Sequence, residues 1–207
     1  AGKARPKELS LSEALDVVQQ LADMGTEEVT FIGGEAYLYP DWLKIVEATA
    51  AAGIRCGMTT GARALTPSMA RQAKAAGIDK MSVSIDGLEA THDKLRAVAG
   101  SWQSCLAAFG HMRDAGITPM ANTQFNRLNL PEIEELAAIL FEQKIGAWQV
   151  QITGPMGRAA DQADWLLQPY DMLEFIPRLA AVAKEAESHG CVVHAANNLG
   201  YFGPHEQ

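Results

Sequence analysis

The sequence predicts an α/β protein with a mostly parallel sheet, because the same three signals alternate along its 207 residues. A helical pattern comes first. A glycine then stands where a helix needs a left-handed C′ residue. A short apolar run follows, and the series begins again. Strands that alternate with helices of ten or more residues imply right-handed βαβ crossovers and a mostly parallel sheet.

The helix boundaries can be located in chain order. Ser10–Glu13 is a capping box, and Thr66-Pro67 places a capping hydroxyl before a proline at the first helical position. Ser101 and Asn129 are candidate caps for two further helices. The last helical stretch contains Pro177, so we expect a kink there, or two shorter helices. The glycines expected to end helices are Gly25, Gly53, Gly77, Gly116, Gly146 and Gly190.

Six short apolar runs between these helices predict the strands. Ligands bind at the carboxyl ends of the strands in such a sheet, so the residues after each run are the candidates for function. No linker or domain boundary interrupts the pattern, and we expect a single domain over residues 1–207. The predicted strands are Val29–Ile32, Arg55–Thr60, Lys80–Ile85, Met120–Phe125, Trp148–Thr153 and Val192–Ala195.

Composition excludes several classes of function. The net charge is −8 and the pI is near 5.1, which argues against binding to nucleic acid or a membrane surface, because both need clustered Lys and Arg. No apolar run approaches the roughly 20 residues of a spanning helix, and residues 1–7 do not begin a signal peptide. We therefore expect a cytoplasmic protein.

Metal ligation within this sequence is not expected. Cys56, Cys105 and Cys191 lie far apart, without the spacing of a zinc site, a cluster site or a disulfide framework. Each is expected to be a small buried hydrophobe. No pair of histidines has the spacing of metal ligands on one face. The sequence therefore predicts no metal ligands in this chain.

The first predicted strand is followed by Gly33, Gly34 and Glu35. Paired glycines let a ligand approach the backbone, and a carboxylate beside them can hold an ammonium group. A tight turn with a solvated glutamate would show the same three residues. Taken alone, this motif therefore leaves binding and turn formation open.

The third predicted strand leads into Ser84 and Asp86, and Arg96 follows ten residues later. A hydroxyl and a carboxylate at a strand end suit the paired hydroxyls of a ribose, and an arginine can bind a carboxylate through two hydrogen bonds. An ordinary Asp-Gly turn followed by a solvated helical turn is the alternative.

The fourth and fifth predicted strands end in further polar groups. Gln124, Asn126 and Arg127 crowd one strand end, and Arg158 follows the exposed turn after the next strand. These four residues are candidates to face a substrate. Two alternatives stay open: Asn129 is a helix cap, and Arg127 is a surface charge. No residue stands out as a catalytic base.

The order of these motifs resembles that of the radical S-adenosylmethionine (SAM) superfamily. The chain has Gly-Gly-Glu, then Ser-x-Asp-Gly with His-Asp-x-x-Arg, then Asn-Arg-x-Asn, then Gln-x-x-x-Pro-x-Gly-Arg-Ala. The order is most similar to that of the SPASM-containing peptide and protein maturases, from about Leu9 to the C-terminus. The resemblance implies a partial (β/α)6 barrel similar to a TIM barrel, with its first strand missing from this chain.

The resemblance also assigns roles to residues. It implies that Gly33–Glu35 receives the amino group of SAM and that Ser84 contacts the ribose, with Asp86 assisting. Arg96 would bind the SAM carboxylate, and the backbone near Val150 would border the adenine. These roles agree with the chemistry of the residues, because SAM presents an ammonium, a carboxylate, a diol and a flat base.

This sequence departs from the family in one respect. Members carry a Cys-x-x-x-Cys-x-x-Cys loop after the first strand, and this loop binds a [4Fe–4S] cluster. The sequence begins at Ala1, apparently downstream of that loop, and residues 197–207 lead toward an auxiliary-cluster domain. We therefore expect a fragment truncated at both ends, which lacks the cluster ligands and is inactive by itself.

The resemblance implies an enzyme that cleaves SAM reductively. The resulting 5′-deoxyadenosyl radical would abstract hydrogen from a peptide or protein substrate, and an electron donor protein is a possible partner. One alternative is a peptide- or nucleotide-binding module without a cluster. Another is a (β/α) enzyme that acts on a phosphorylated metabolite, against which no phosphate-cradling loop is found.

Overall fold

The computed structural model describes residues 8–196, 198–200 and 204, with the side chain of Arg158 outside the description. Its α-helices are α1 Leu11–Asp23, α2 Trp42–Ala51, α3 Pro67–Ala76, α4 Glu89–Arg96, α5 Ser101–Asp114, α6 Ile133–Glu142 and α7 Met172–Ser188. Its strands are β1 Glu28–Phe31, β2 Arg55–Thr60, β3 Ile78–Ser84, β4 Thr118–Phe125, β5 Ala147–Ile152 and β6 Val192–Ala195. Short 3₁₀ helices are Ala36–Leu38, Leu130–Glu132, Gly157–Asp161 and Ala163–Trp165.

The strand order, β1-β2-β3-β4-β5-β6, follows the chain, and every strand pair with a defined register is parallel. Helices separate the strands along the chain, as right-handed crossovers between parallel neighbours require. All six predicted strands are present, each within two residues of its predicted start and within one of its predicted end. The predicted α/β class is therefore confirmed.

The chain divides into two compact units. The first contains residues 1–83 and 108–119, and the second contains residues 84–107 and 120–207. In the first unit Val46, Ile78 and Met81 are fully buried. In the second, Phe125 packs against Trp148 and Phe175 with ring centroids 6.0 and 5.1 Å apart. Each unit therefore has an apolar core of its own.

Local chemistry explains where α1 and α3 begin. The Ser10 hydroxyl accepts the Glu13 amide at 3.3 Å, and the Glu13 carboxylate accepts the Ser10 amide at 2.8 Å, which completes the predicted capping box. The hydrogen bonds from Ser10 also lower the pKa of Glu13. Thr66 caps α3 by accepting the Met69 amide at 3.1 Å, with Pro67 at the first position.

The structure differs from the predicted caps in two places. Lys144, with φ of 55°, takes the left-handed conformation after α6 that was expected of Gly146. Ser101 is the first residue of α5, and the Asp93 carboxylate accepts the Gly100 and Trp102 amides there, at 2.6 and 2.9 Å. The carboxylate satisfies two free amides at once, which a single hydroxyl cannot do.

Two further boundaries are also revised. Asn129 makes no side-chain capping bond to the 3₁₀ helix that follows it, because its side chain turns toward other backbone groups. Of the two outcomes expected at Pro177, the two shorter helices are not formed, because α7 runs continuously through this residue. Pro177 is the sixth residue of this 17-residue helix and has no N–H, so the Leu173 carbonyl lacks its usual partner four residues later. Within the described residues, no helix is long and apolar enough to cross a membrane.

Candidate functional site

In the first unit, Gly33, Gly34 and Glu35 follow the carboxyl end of β1. Gly33 has a φ of +139°, which strains a residue with a side chain, and a Cβ at this position would touch nothing within 4 Å. The two glycines are exposed and Glu35 is half-buried. The backbone here is therefore open to close approach by a ligand, as the sequence predicted.

The Glu35 carboxylate is held by the end of the neighbouring strand, β2. One oxygen accepts the Thr60 hydroxyl at 2.6 Å, and the other accepts the Gly61 amide at 2.9 Å. The Thr60 oxygen also accepts the Ala62 amide at 2.8 Å and lies 3.1 Å from the Tyr37 hydroxyl. Burial raises the pKa of Tyr37. Glu35 is thus anchored, and the alternative of a freely solvated glutamate is wrong.

The charge of Glu35 is not neutralised by its neighbours. Within residues 8–196, 198–200 and 204, no lysine, arginine or histidine forms an ion pair with it. Its two hydrogen-bond donors are neutral groups. A Cβ on Gly61 would come within 2.9 Å of a carboxylate oxygen, so Glu35 would have to shift if Gly61 carried a side chain. The arrangement presents a fixed negative charge suited to an ammonium group.

In the second unit, Asp86 lies just beyond β3 and is 7% exposed. All four of its polar atoms are hydrogen-bonded. One carboxylate oxygen accepts Arg96 Nη2 at 2.6 Å, and the other accepts the Gln124 amide at 2.9 Å. The backbone amide donates to His92 Nδ1 at 2.9 Å, and the backbone carbonyl accepts Asn129 Nδ2 at 2.9 Å. Asp86 is therefore fixed in position and paired with a cation.

His92 is fully buried and lies one turn before Arg96 on α4, so both side chains face Asp86. A backbone amide can only donate, so Nδ1 of His92 accepts and the neutral ring carries its proton on Nε2. Nε2 lies 3.1 Å from the Ser101 hydroxyl. Burial lowers the pKa of His92 to about 4. The imidazole is therefore neutral at physiological pH.

The loop between β3 and α4 is held from the other side by Glu132. Its carboxylate accepts the Leu88 amide at 2.8 Å and also accepts the Thr91 hydroxyl. Gly87, with φ of +135°, passes so close that a Cβ would lie 2.6 Å from a Glu132 oxygen. Only glycine meets both the conformation and the clearance at this point.

A cavity of about 180 Å³ opens beside Asp86 and Arg96 in the second unit. Gln124 contributes an exposed side chain to it, whereas Asn126 is 2% exposed. The Asn126 carboxamide accepts the Leu128 amide at 2.9 Å and donates to the Thr153 hydroxyl at 3.3 Å. The lining residues are Asp86, Leu95, Arg96, Gln124, Asn126, Thr153, Met156, Ala159 and Trp165.

Arg127 is not among these lining residues. Its amide donates to the Trp165 carbonyl at 2.8 Å, and its Nε donates to Asp171 at 2.9 Å. Its guanidinium also donates to the Tyr170 hydroxyl and lies 5.2 Å from the centre of that ring. Arg127 therefore anchors the segment before α7, part of which lines the cavity.

The remaining predicted site residues lie at or beyond strands of the second unit. Ser84 is the half-buried last residue of β3, and Val150 is buried in β5, where its carbonyl accepts the Ala196 amide at 2.9 Å. The side chain of Arg158 lies outside the described residues. Arg96, Gln124 and Asn126 are thus the predicted residues that line the cavity together with Asp86.

Sequence reasoning missed three residues that hold these groups. Thr60 ends β2, and the rule that selected the other strand ends would have found it. His92 stands in the His-Asp-x-x-Arg motif, but nothing in the sequence indicates what His92 or Glu132 binds, because their partners include backbone amides that only the fold brings close. Buried polar groups of this kind are recognised from their hydrogen bonds rather than from spacing.

The predicted burial of the cysteines is confirmed. Cys56, Cys105 and Cys191 are all buried, and burial raises the pKa of Cys56 and of Cys191. In the part of the chain that the structure describes, no three His, Cys, Asp or Glu residues are grouped so that they could hold a metal ion. The described residues therefore do not fit an iron–sulfur cluster.

Residues 1–142 match the family model described as the Radical SAM superfamily. The chain belongs to this superfamily. It is 31% identical over 174 residues to the AdoMet-dependent heme synthase of Nitratidesulfovibrio vulgaris, a match that covers 83% of this chain and 47% of that protein. It is 26% identical over 180 residues to the PqqA peptide cyclase of Rhizobium meliloti, covering 86% and 48%. The chain thus spans about half the length of the curated relatives it matches.

The fold also matches that of a solved protein bound to S-adenosylmethionine. The crystal structure of Streptococcus suis SuiB bound to S-adenosylmethionine aligns with a TM-score of 0.76 and 16% identity, covering 94% of this chain and 45% of SuiB. This likeness confirms the expected partial barrel similar to a TIM barrel. The family consists of enzymes that use SAM, and the named relatives are themselves enzymes.

The residues present fit the charged ends of SAM. The first unit provides Glu35, a carboxylate held only by neutral donors, which suits an ammonium. The second unit provides Arg96, which is 33% exposed at the cavity and suits a carboxylate. The cavity of about 180 Å³ is smaller than most ligand pockets, which measure roughly 300–1,000 Å³, so it accommodates part of a ligand of that size.

Proposed function

We propose that the protein to which this chain belongs is a radical SAM enzyme that modifies a peptide or protein substrate. Membership of the family carries the proposal, together with the polar groups found at the carboxyl ends of its strands. SAM, when bound and reductively cleaved, would supply a 5′-deoxyadenosyl radical for hydrogen abstraction. We propose a cytoplasmic location, because the spacing of Cys56, Cys105 and Cys191 does not suggest the disulfide framework of a secreted protein.

In the first unit, we assign the SAM amino group to Gly33, Gly34 and Glu35. The positive φ of Gly33 exposes backbone groups, and the anchored carboxylate of Glu35 meets the ammonium without a change of rotamer. Preorganisation of this kind lowers the entropy lost on binding. Thr60 and Gly61 therefore support binding through Glu35.

In the second unit, we assign the SAM carboxylate to Arg96 and the ribose to Ser84. Asp86 assists by holding the guanidinium at 2.6 Å, and the backbone near Val150 is assigned to the adenine. These residues bind and orient the cofactor. No residue is assigned as a catalytic base.

The substrate is proposed on the chemistry of the cavity and on overall charge. Gln124 presents an exposed carboxamide, which can both donate to and accept from a peptide backbone. Asn126 lines the cavity, and Arg127 donates a backbone hydrogen bond to Trp165, which also lines it. We propose that Arg158 faces the substrate with Gln124. A net charge of −8 favours a neutral or basic partner over a polycarboxylate. A peptide fits this pattern.

A tetrapyrrole is the second candidate substrate. The observation that favours it is the 31% identity to a heme synthase, compared with 26% to the peptide cyclase. Tetrapyrroles of heme synthesis carry several carboxylates, which the negative charge of this chain disfavours. A tetrapyrrole would therefore need cationic side chains near the cavity to bind its carboxylates, whereas a neutral or basic peptide would not.

The activity is tested with the protein expressed from its complete gene, reconstituted with iron and sulfide under anaerobic conditions. We expect SAM to be cleaved to 5′-deoxyadenosine and methionine when an electron donor such as dithionite or a flavodoxin is supplied. A protein that binds SAM but never cleaves it would instead be a binding module. Product formation with a candidate precursor peptide, but not with an iron porphyrin, would support the peptide substrate.

Binding is tested separately by calorimetry of this chain with SAM. Glu35→Gln and Arg96→Gln each remove one charged contact, and we expect each to weaken binding at least tenfold. Gln19→Ala serves as a surface control, since its exposed carboxamide hydrogen-bonds to Asp23 at 2.8 Å and is not among the lining residues. Equal affinity of all four proteins would remove the support for this assignment.

A further inference from the structure

The position of Arg96 depends on Asp86, and the position of Asp86 depends on its backbone as well as its carboxylate. Arg96 stands at the last position of α4, where its long side chain has several available rotamers. The 2.6 Å bond to the Asp86 carboxylate selects one of them. Any displacement of Asp86 therefore displaces the guanidinium.

Asp86 lies just beyond β3, outside the regular pairing of that strand, so its own amide needs a partner from elsewhere. His92 Nδ1 is that partner, at 2.9 Å. The imidazole is fully buried and its other nitrogen lies 3.1 Å from the Ser101 hydroxyl, so the ring is fixed at both nitrogens. Because its ring is fixed, His92 can in turn fix the position of the Asp86 backbone.

We propose that His92 is a positioning residue for the cofactor site: by accepting the Asp86 amide it holds the Asp86 carboxylate where that carboxylate orients Arg96. The proposal rests on the proposed assignment of Arg96 to the SAM carboxylate. It gives His92 no contact with the cofactor and no role in proton transfer. Its consequence is that the acceptor at the Nδ1 position, rather than the imidazole itself, is what the site requires.

Two variants with amide side chains, His92→Asn and His92→Gln, distinguish the need for an acceptor at the Nδ1 position from the need for the imidazole itself. In His92→Asn the side-chain oxygen can occupy the position of Nδ1, so the acceptor for the Asp86 amide is kept. In His92→Gln the amide group moves one bond further out, toward the position of Nε2, and the Asp86 amide loses its acceptor. Both variants have the same functional group and neither titrates. Ser101→Ala is the matched control, because it removes only the bond on the Nε2 side.

We expect calorimetry to show SAM binding within about threefold of the original protein for His92→Asn and Ser101→Ala. For His92→Gln we expect affinity to fall about tenfold, the effect of losing one orienting hydrogen bond. Equal affinities for the asparagine and glutamine variants would overturn the proposal, whether both bind normally or both fail. If His92 only filled space in the core, we would not expect SAM affinity to be kept in His92→Asn and lost in His92→Gln.

A second readout in the ligand-free chain keeps the two proposals apart. By ¹⁵N NMR, the Asp86 amide should resist hydrogen exchange and the Arg96 Nε–H should stay sharp and ordered in the original protein and in His92→Asn. Both signals should be lost in His92→Gln. If the chain binds no SAM while these signals behave as expected, the assigned cofactor site fails and the positioning role stands. If Arg96 stays ordered in His92→Gln, the positioning role is wrong.

Folding of the variants decides how these results are interpreted. Circular dichroism and the urea midpoint report whether His92→Gln is folded. If it is not, His92→Asn decides alone: an ordered Arg96 with nearly normal affinity supports the proposal, and a disordered Arg96 contradicts it.

Discussion

The two units each hold a carboxylate close to the end of a strand, and the surroundings of these carboxylates differ in kind. Glu35 in the first unit is half-buried and accepts hydrogen bonds from a hydroxyl and a backbone amide. Asp86 in the second unit is 7% exposed and is paired with Arg96 at 2.6 Å. One carboxylate keeps its net charge, and the other is neutralised within the fold.

This difference in surroundings predicts different roles for the two carboxylates: Glu35 binds a ligand, and Asp86 stabilises the fold. A carboxylate held by neutral donors is oriented but still attracts a cation, so Glu35 can exchange water for an ammonium at little cost. A buried carboxylate paired with an arginine contributes to the fold chiefly because its removal leaves an uncompensated charge. Glu35 should therefore matter more for binding than for stability, and Asp86 should matter for both.

The largest expected loss of stability follows Asp86→Ala. This change removes the ion pair and leaves the Gln124 amide without its acceptor. Arg96 is 33% exposed and regains some water, so we expect the free energy of unfolding to fall by about 3–4 kcal/mol, near the low end for a buried pair. Urea denaturation measures this loss. A loss below about 1 kcal/mol would mean that the two carboxylates do not differ as argued.

The pH dependence of His92 gives the next effect in size. The groups around its ring that carry or can carry charge are Asp86, Asp93, Arg96 and the Cys105 thiol. Burial lowers the pKa from its usual 6.5 to about 4, so between these values the unfolded chain binds a proton that the folded chain does not. Stability is therefore fully present above pH 6.5 and is lost as pH falls toward 4, by about 3 kcal/mol.

Comparison with His92→Asn isolates this effect. The variant lacks a titrating ring, so the difference in unfolding free energy between the two proteins should change by about 3 kcal/mol over that pH range. Urea denaturation at four or five pH values measures the difference, and carboxylates common to both proteins cancel. Parallel curves for the two proteins would show that His92 titrates normally.

Most of the fold could be predicted from the sequence, because its signals are local. The capping box at Ser10–Glu13 and the cap at Thr66 depend on residues within three positions of each other, and both are confirmed. The expected cap at Ser101 was wrong because Asp93, eight residues away, reaches the same amides. Local patterns fail where a residue from another element supplies a better hydrogen-bond partner.

The chemistry of the site could be predicted only in part. The strand-end rule selected Glu35, Asp86 and Arg96, and it would have selected Thr60 had every strand been treated alike. No pattern in the sequence indicates that His92 accepts a backbone amide, since its histidine-aspartate motif suits an exposed helical turn equally well. Burial decides which description holds, and burial is a property of the fold.

Removal of the Thr60 hydroxyl tests how Glu35 is anchored. Thr60→Val keeps the shape but leaves a Glu35 oxygen and the Ala62 amide without their partner, so we expect a loss of about 2 kcal/mol in unfolding free energy. Thr60→Ser keeps the hydroxyl and should lose less than about 1 kcal/mol. Thermal or urea unfolding distinguishes the two. A loss below about 1 kcal/mol for Thr60→Val would show that the hydroxyl does not anchor Glu35.

The smallest effect on stability is expected for Glu35→Gln, and it bears most directly on the comparison. Glutamine keeps an oxygen for the Gly61 amide, and its NH2 group can donate to the Thr60 oxygen while the Thr60 hydroxyl donates to Tyr37. The change therefore removes chiefly the charge, which no cation among the described residues balances. We expect the free energy of unfolding to change by less than about 1 kcal/mol, while calorimetry shows SAM affinity at least tenfold lower. A loss as large as that of Asp86→Ala would instead mean that the charge of Glu35 supports the fold. The distinction between a binding carboxylate and a supporting one would then fail.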